Sequence, residues 1–245
     1  ATAVVAGMLV GQGRLRREAP LGVPGWEAPD PRAAIGLTHL LQMSSGLAWR
    51  ENYLNPLWSD VLPMMFGAGR RDMAAFAASR PLADPPGTRW AYSGGSTLVV
   101  CGAVVRAAGG PDQARALFRD SLFAPLGMRT ALLEADGAGT PMGASYFFAS
   151  AEDFARLGLL LLRDGVWEGR RLLPAGWVDF MRTPAPAAER GQYGAGVWLN
   201  ATPADGRPRE LPSLPEDLFY ASGKDGQYIV VFPSRDLVIV RLGTT

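Results

Sequence analysis

In the tripeptide Tyr92-Ser93-Gly94, the first two residues carry hydroxyl groups that could move protons in an acyl-transfer reaction. They follow the turn Pro85–Thr88 and precede an apolar helical run, Leu98–Val105. A rigid turn can hold a phenol and a hydroxyl in a fixed place, as acid–base chemistry at an acyl group requires. The pattern has a second interpretation, in which Tyr92 is a turn residue that packs its ring under the two prolines.

Few other side chains offer nucleophilic or metal-binding chemistry. The sequence contains one cysteine, Cys101, and one histidine, His39, which is too few for a zinc site or a Cys–His pair. Cys101 lies inside an apolar run and is predicted to be a buried structural thiol. His39 lies among leucines with no acidic residue nearby, so we expect a packed structural histidine rather than a triad member. The sequence implies no metal and no organic cofactor.

Composition and charge indicate a globular chain and disfavour one class of partner. Hydrophobic residues make up 48% and charged residues 19% of the 245 residues, which suffice for one large domain or two small ones. The formal net charge is +1, and no basic stripe could neutralise phosphates, which argues against nucleic acid as a partner. The sequence leaves the oligomeric state open.

The first ten residues are apolar but too short to span a bilayer, and they have neither a positive n-region nor a cleavage site. They predict a helix that is apolar on all sides and therefore buried, ended by Gly11 and Gly13. This helix lacks an N-cap residue, so we expect the chain to continue upstream of Ala1 in the complete protein. Any targeting signal would lie there, which leaves a periplasmic, secreted or cytoplasmic location open.

Apolar periodicity and turn residues predict further helices in the first three quarters of the chain. Ser150 and Asp153 form a capping-box pattern at the start of one of them. Residues 50–70 are predicted to form a loop. The predicted helices cover residues 38–43, 71–79, 96–108, 112–122, 151–163 and 175–181.

From residue 193 the pattern changes to short segments rich in Val, Ile, Tyr and Phe, which predict strands. The predicted strands cover residues 193–199, 218–221, 227–232 and 237–242. The last two are joined by the turn 233–236 and are apolar on both faces. We therefore expect a sheet with helices covering it on both sides.

Several motifs, in order along the chain, resemble those of the serine β-lactamase and penicillin-recognising superfamily. Leu37–Leu47 is similar to its His-Leu-Leu-x-x-x-Ser-Gly-Leu signature, and Pro85–Gly94 is similar to its Pro-Gly-x-x-x-x-Tyr-Ser-Asn element. Phe123–Met128 matches a Pro-Leu-Gly-Met element, and Asp153–Gly158 and Gly165–Arg171 are also characteristic. Within the superfamily, the chain most resembles the class C-like esterases and the 6-aminohexanoate-dimer hydrolases.

The resemblance covers the whole chain and implies an α/β (α+β) fold of the β-lactamase and transpeptidase type. Residues 1–245 would form a single domain. Residues 1–35 and 150–245 would supply an antiparallel sheet with flanking helices, and residues 36–149 a mostly helical part.

The resemblance also implies catalytic roles for two residues. Tyr92 matches the tyrosine that shuttles protons in the family, and a phenol with an ordinary pKa near ~10 needs a cationic neighbour to ionise near neutral pH. Lys224-Asp225-Gly226 stands where the family places a Lys/His-x-Gly motif along one wall of the cleft. Lys224 is the one lysine of the sequence, and it also fits a solvated lysine in a hairpin turn.

Four further residues are implied in substrate or oxyanion contacts. Ser93 holds the second place of the tyrosine motif, and Gly94 replaces its usual asparagine, which removes an amide that could contact substrate. Gly226 belongs to the third motif, and the backbone N–H of Gln227 is the expected oxyanion-hole donor at the start of the next strand.

The family's nucleophile lies in a Ser-x-x-Lys motif, which these 245 residues do not contain. In the family this motif opens the buried central helix, which ends in Glu-Gly-Arg-Leu, and Gln12–Leu15 matches that ending. Counting back places the serine about five residues, and the lysine about two residues, before Ala1. We therefore expect both residues upstream of this sequence, and the chain as given to be inactive alone.

Two functions are consistent with these patterns. The first is a serine hydrolase that forms an acyl-enzyme on a small linear or cyclic ester or amide, as an esterase, oligoamide hydrolase or β-lactamase does. The second is a non-catalytic relative that kept the fold as a binding or scaffolding domain and lost the nucleophile. The aromatic segment Trp49–Trp58 is predicted to shape the cleft of the hydrolase.

Overall fold

The computed structural model describes residues 1–244, and within them the chain forms eight α-helices. The longest has 15 residues, and no helix of the described chain is long and apolar enough to cross a membrane. The helices are α1 (Thr2–Gly11), α2 (Leu37–Leu41), α3 (Val61–Phe66), α4 (Met73–Ala78), α5 (Gly94–Ala108), α6 (Pro111–Leu117), α7 (Ala151–Leu162) and α8 (Trp177–Arg182).

Short strands form two antiparallel ribbons and one larger sheet within the described residues. The strands are β1 (Leu132–Leu133), β2 (Phe147–Phe148), β3 (Val166–Trp167), β4 (Arg170–Arg171), β5 (Trp198–Leu199), β6 (Phe219–Gly223), β7 (Gln227–Phe232) and β8 (Leu237–Arg241). β1 pairs with β2 and β3 with β4, whereas the last four strands form an antiparallel sheet in the order β5-β6-β7-β8. Its register places Tyr220 opposite Val230, and Val230 opposite Ile239.

Helix α1 is buried because its residues are apolar on all sides, as the sequence predicts. Val5, Ala6 and Leu9 have no solvent-exposed surface, and the helix packs against α5. The indole Nε1 of Trp177 in α8 donates a hydrogen bond of 3.1 Å to the carbonyl of Ala3, so its buried polar atom is satisfied.

Helix α5 carries the candidate tyrosine motif at its N-terminus. Ser93 is the N-cap, and its Oγ accepts the backbone N–H of Ser96 at 2.9 Å. The helix therefore begins at Gly94, two residues before its predicted start. It ends at Gly109, whose φ of +95° is the left-handed conformation that favours glycine. Helices α1, α2, α4 and α6 surround it.

Helix α7 covers one face of the large sheet. Ser150 caps it as predicted, since Ser150 Oγ accepts the N–H of Asp153 at 3.2 Å. Gly158 lies where the helix crosses the sheet, and a Cβ at this position would lie 2.6 Å from Val238 and 3.1 Å from Ile229. The close approach of helix and sheet therefore depends on the missing side chain.

The prediction that helices cover both faces of the sheet is wrong for the described residues. Tyr228, Leu237 and Ile239 are 37%, 43% and 46% exposed on the face opposite α7. Apolar residues on both faces of a strand favour two-sided burial but do not enforce it. In the described chain α7 packs across β7 and β8, on the face opposite these three residues.

Two segments differ from their predicted conformation. Residues 61–66 of the predicted loop form α3. Pro63 is compatible with this helix because it lies in the first turn, where its missing N–H has no helical partner to lose. The predicted strand 193–199 is reduced to Trp198–Leu199, because the chain turns at Gly196, with φ of +78°, and pairs Tyr193 with Trp198.

The contact of α7 with the sheet predicts the sign of one stability change. Ala is a better helix former than Gly, but Gly158→Ala places its methyl group against Val238, so we expect the variant to lose about 1–3 kcal/mol in urea unfolding. The loss should shrink when Val238→Ala makes room. A Gly158→Ala variant more stable than the wild type would contradict this packing.

Candidate active site

A loop at residues 43–46, distant in sequence, holds the turn in front of Tyr92. The N–H of Gly87 donates to the carbonyl of Ser44, and the N–H of Ala91 donates to the carbonyl of Met43, both at 2.8 Å. Gly46 has φ of +76° and lies so close to the carbonyl of Asp84 that any Cβ would overlap it. The Ser-Gly-Leu and Pro-Gly elements therefore pack directly against each other and are joined by backbone hydrogen bonds.

His39 contributes to this structure through a helix cap rather than as a catalytic group. Its Nδ1 accepts the backbone N–H of Gly36 at 3.1 Å at the start of α2, and burial lowers the pKa of its imidazole. A Cβ at Gly87 would lie 3.5 Å from its ring, so His39 also borders the Pro-Gly turn. This geometry agrees with the predicted structural histidine.

The ring of Tyr92 packs against aromatic residues at the edge of the large sheet. It stacks on Trp198 with a centroid distance of 5.4 Å and an interplanar angle of 20°. Tyr193 meets the same ring edge-on at 6.1 Å, and Trp198 stacks in turn on Tyr220 at 6.4 Å. These contacts fix the ring and leave Tyr92 half-buried.

Tyr92 lies on the wall of a cavity of about 190 Å³. The start of α1, one side of α7, Tyr193 and strands β6 and β7 border it. No charged side chain occurs among the described residues that line it. The polar side chains of the lining belong to Thr2, Tyr92, Thr97, Tyr193, Tyr220 and Ser222.

The surroundings of Tyr92 favour its neutral phenol. Burial raises the pKa of Tyr92, and the nearby carboxylate of Glu51 raises it further because a second negative charge is unfavourable there. These surroundings keep the Tyr92 phenol protonated, and a cation close to it would favour its ionisation.

Ser93 and Gly94 serve as the start of helix α5. The hydroxyl of Ser93 is buried and engaged as the helix cap, and it does not line the cavity. The N–H of Gly94 donates to Oε2 of Glu51 at 2.8 Å. The predicted substrate contacts of both residues stay predictions.

Lys224, Gly226 and Gln227 lie in and beside the β6–β7 hairpin turn, outside the cavity lining. The ammonium of Lys224 is exposed and pairs with Asp225 at 2.9 Å. Gly226 has φ of +83°, and its carbonyl accepts a hydrogen bond from Arg241. The structure does not bring this group into contact with Tyr92, and its catalytic role stays a prediction.

The predicted oxyanion donor has a different geometry. The backbone of Gln227 is paired with Gly223 in the hairpin, and its side-chain amide donates to the carbonyl of Gly243 at 2.6 Å. This pairing directs the backbone N–H of Gln227 toward Gly223 and not toward the cavity.

The strand that borders the cavity is β6, which the sequence did not single out. Tyr220, Ala221 and Ser222 line it. The carbonyl of Leu218 accepts the N–H of Asn200 at 3.3 Å, so strand alternation directs the backbone of Tyr220 and Ser222 to the same edge. β5 pairs only as far as Tyr220, so the edge beyond it is open at Ser222 in the described chain.

Sequence patterns also do not identify three residues that act on Tyr92, namely Tyr193, Trp198 and Glu51. They reach Tyr92 only through tertiary contacts across many residues, so no local spacing marks them. The residues that the structure describes contain no cluster of three His, Cys, Asp or Glu side chains arranged to hold a metal ion.

The sequence matches a known protein family over its full length. The family model described as Beta-lactamase matches residues 1–245, the whole chain. The chain belongs to the beta-lactamase family. The predicted resemblance and fold class are thereby confirmed, and hydrolases occur among the solved structures that share the beta-lactamase fold.

Three solved structures illustrate the fold. A protein designated a 6-aminohexanoate-dimer hydrolase, from Bacillus anthracis, has a TM-score of 0.74 at 20% identity over 98% of this chain and 64% of its own. A beta-lactamase from Mycobacterium bovis has a TM-score of 0.65 at 22% identity, over 98% and 74% of the two chains. A family VIII carboxylesterase has a TM-score of 0.72 at 14% identity, over 98% and 73%. No curated protein matches the chain.

The environment of Tyr92 predicts its titration. We expect its pKa to lie above the ordinary value near ~10, because burial and the Glu51 carboxylate both disfavour the phenolate. NMR of ring-¹³C-labelled tyrosine can follow the six tyrosines of the chain, and Tyr92→Phe assigns the signal. A Tyr92 pKa at or below 10 in this chain would show that the described surroundings do not control it.

Proposed function

We propose that the protein is a serine hydrolase that forms an acyl-enzyme with a small ester or amide. The observation that carries the proposal is the placement of Tyr92, whose phenol lies on the wall of an uncharged 190 Å³ cavity beside the open edge of β6. Family membership and the hydrolase designations of proteins that share the fold support the same reaction class. The fold alone does not select the substrate.

The proposed reaction uses a serine that precedes Ala1 in the complete protein. Its Oγ attacks the carbonyl carbon, and its proton passes to a lysine or Tyr92 as the carbon–oxygen bond forms. The bond to the leaving alcohol or amine then breaks, and Tyr92 returns the proton to it. Water hydrolyses the acyl-enzyme by the same steps. Ala1 and Thr2 line the cavity, so residues directly before them would enter it.

The lysine of the proposed Ser-x-x-Lys motif also supplies the cation that Tyr92 lacks in the described chain. A positive charge near the phenol lowers its pKa and opposes the effects of burial and Glu51. Tyr92 would then change between acid and base during the cycle, as the reaction requires.

Backbone donors at the edge of β6 would stabilise the oxyanion. The N–H of Ser222 points to the open edge beside the cavity, whereas that of Gln227 belongs to the hairpin pairing. We propose Ser222 as the better-placed donor. Lys224 follows it by two residues, and we propose that its ammonium acts at the cavity mouth after leaving Asp225.

A second candidate function is a non-catalytic binding or scaffolding domain. The observation that favours it is the absence of Ser-x-x-Lys from residues 1–245. The two candidates differ in turnover. A hydrolase releases alcohol from a chromogenic short-chain ester in repeated cycles, whereas a scaffolding domain that kept the cavity binds the ester without cleaving it.

Tyr92→Phe tests the proposal in the full-length protein. Phe keeps the ring that stacks on Trp198 but removes the proton-transferring hydroxyl, so we expect kcat for the ester to fall by about 10²–10⁴-fold with little loss of stability. Tyr228→Phe, on the exposed face of the sheet, is the matched control and should leave kcat unchanged. Wild-type turnover that survives in Tyr92→Phe would overturn the role of Tyr92, and a wild type without turnover would favour the scaffolding function.

A further inference from the structure

The carboxylate of Glu51 binds three neutral donors at the start of helix α5. Its Oε2 accepts the backbone N–H of Gly94 at 2.8 Å and the indole Nε1 of Trp49, and its Oε1 accepts the phenol of Tyr53 at 2.6 Å. A carboxylate that accepts several hydrogen bonds is held in one orientation. Glu51 therefore joins the segment 49–53 to the turn that presents Tyr92.

Two glycines at the start of α5 leave room for this segment. A Cβ at Gly94 would lie 3.0 Å from Oε1 of Glu51, and a Cβ at Gly95 would lie 2.7 Å from the ring of Trp49. Gly94 does not have a left-handed φ, so its backbone does not require glycine. Two successive glycines also lower the helix propensity at the start of α5. What these glycines contribute is therefore the space beside them, which Glu51 and Trp49 fill.

These contacts explain why a glycine occupies position 94. A larger side chain there would meet the carboxylate of Glu51, which already provides a polar group beside the tyrosine turn. Glu51 is also close enough to Tyr92 for its charge to act on the phenol. None of the ion pairs of residues 1–244 includes Glu51, and the hydrogen bonds to its carboxylate come from neutral donors.

We propose that Glu51 is a positioning residue of the cleft. Its carboxylate occupies the space that Gly94 leaves open, fixes the Tyr92-Ser93-Gly94 turn, and holds Trp49 and Tyr53 beside that turn. Its effect on catalysis rests on the serine hydrolase function proposed above. Glu51 acts through Tyr92 and takes no part in bond making, since its carboxylate is engaged by three protein donors.

Glu51→Gln in the full-length protein tests the proposal with two measurements. Glutamine keeps the size of the side chain but removes the charge and one acceptor, so we expect the Tyr92 pKa in ring-¹³C NMR to fall. We expect kcat for a chromogenic ester to fall by about 10- to 100-fold, with a smaller change in KM, because the turn shifts. Glu168→Gln, an exposed carboxylate in the β3–β4 turn, is the matched control and should change neither.

Gly94→Ala tests the same contact without removing the carboxylate. Its methyl group should displace Glu51 and reduce kcat in the wild-type background, whereas in a Glu51→Ala background the same substitution should have little further effect. This pair also decides the matter if Glu51→Gln fails to fold.

An unchanged Tyr92 pKa or an unchanged kcat in Glu51→Gln would overturn the proposal, as would a Gly94→Ala effect of equal size in both backgrounds. The titration needs no turnover. If the wild-type protein hydrolyses no ester, the hydrolase function fails, and the Tyr92 pKa in Glu51→Gln and Gly94→Ala still shows whether Glu51 controls the turn.

Discussion

The stacking of Tyr92 on Trp198 brings the turn before helix α5 to the edge of the large sheet. Around it, Met43, Ala185, Ala188 and Tyr193 form a small buried cluster that is separate from the main hydrophobic core. Residues from three regions of the chain, at position 43, at 90–92 and at 185–198, meet there. This aromatic packing and the hydrogen bonds that hold the turn together place the phenol of Tyr92 on the cavity wall.

The electrostatics of the cavity follow from the same arrangement. Its lining side chains are uncharged and Tyr92 is half-buried. Among the described residues, the carboxylate of Glu51 is the charge that acts on Tyr92. All these features stabilise a neutral phenol. An acyl-transfer mechanism therefore requires a cation to enter the cavity, which the proposed lysine before Ala1 would do. The burial that raises the Tyr92 pKa also strengthens its interaction with such a cation.

The sequence predicted the parts of the fold that depend on local patterns. The all-apolar helix α1, the Ser150 cap of α7 and the hairpin of β7 and β8 agree with the structure within a few residues. Tyr92 was recognised from its motif because the turn before it is a local feature. The strand predicted over residues 193–199 is shortened to β5, because the chain turns at Gly196 and Tyr193 pairs back onto Trp198.

The candidate site was harder to predict for the same physical reason. Tyr193 and Ser222 reach the cavity, and Trp198 reaches Tyr92, only when the sheet forms. Glu51 reaches Gly94 across 43 residues. Conversely, Lys224 fits a sequence motif but lies on an exposed turn beside its own ion-pair partner. Spacing in sequence identifies residue types with suitable chemistry, whereas tertiary packing decides which of them face one cavity.

The most direct test of the central claim is the site of covalent labelling in the full-length protein. A fluorophosphonate probe followed by peptide mass spectrometry reports which hydroxyl is the activated nucleophile. We predict one adduct, on a serine that precedes Ala1 by about five residues and is followed three residues later by lysine. A folded full-length protein that carries no adduct, or that is labelled on a serine remote from the Tyr92 cavity, would contradict it.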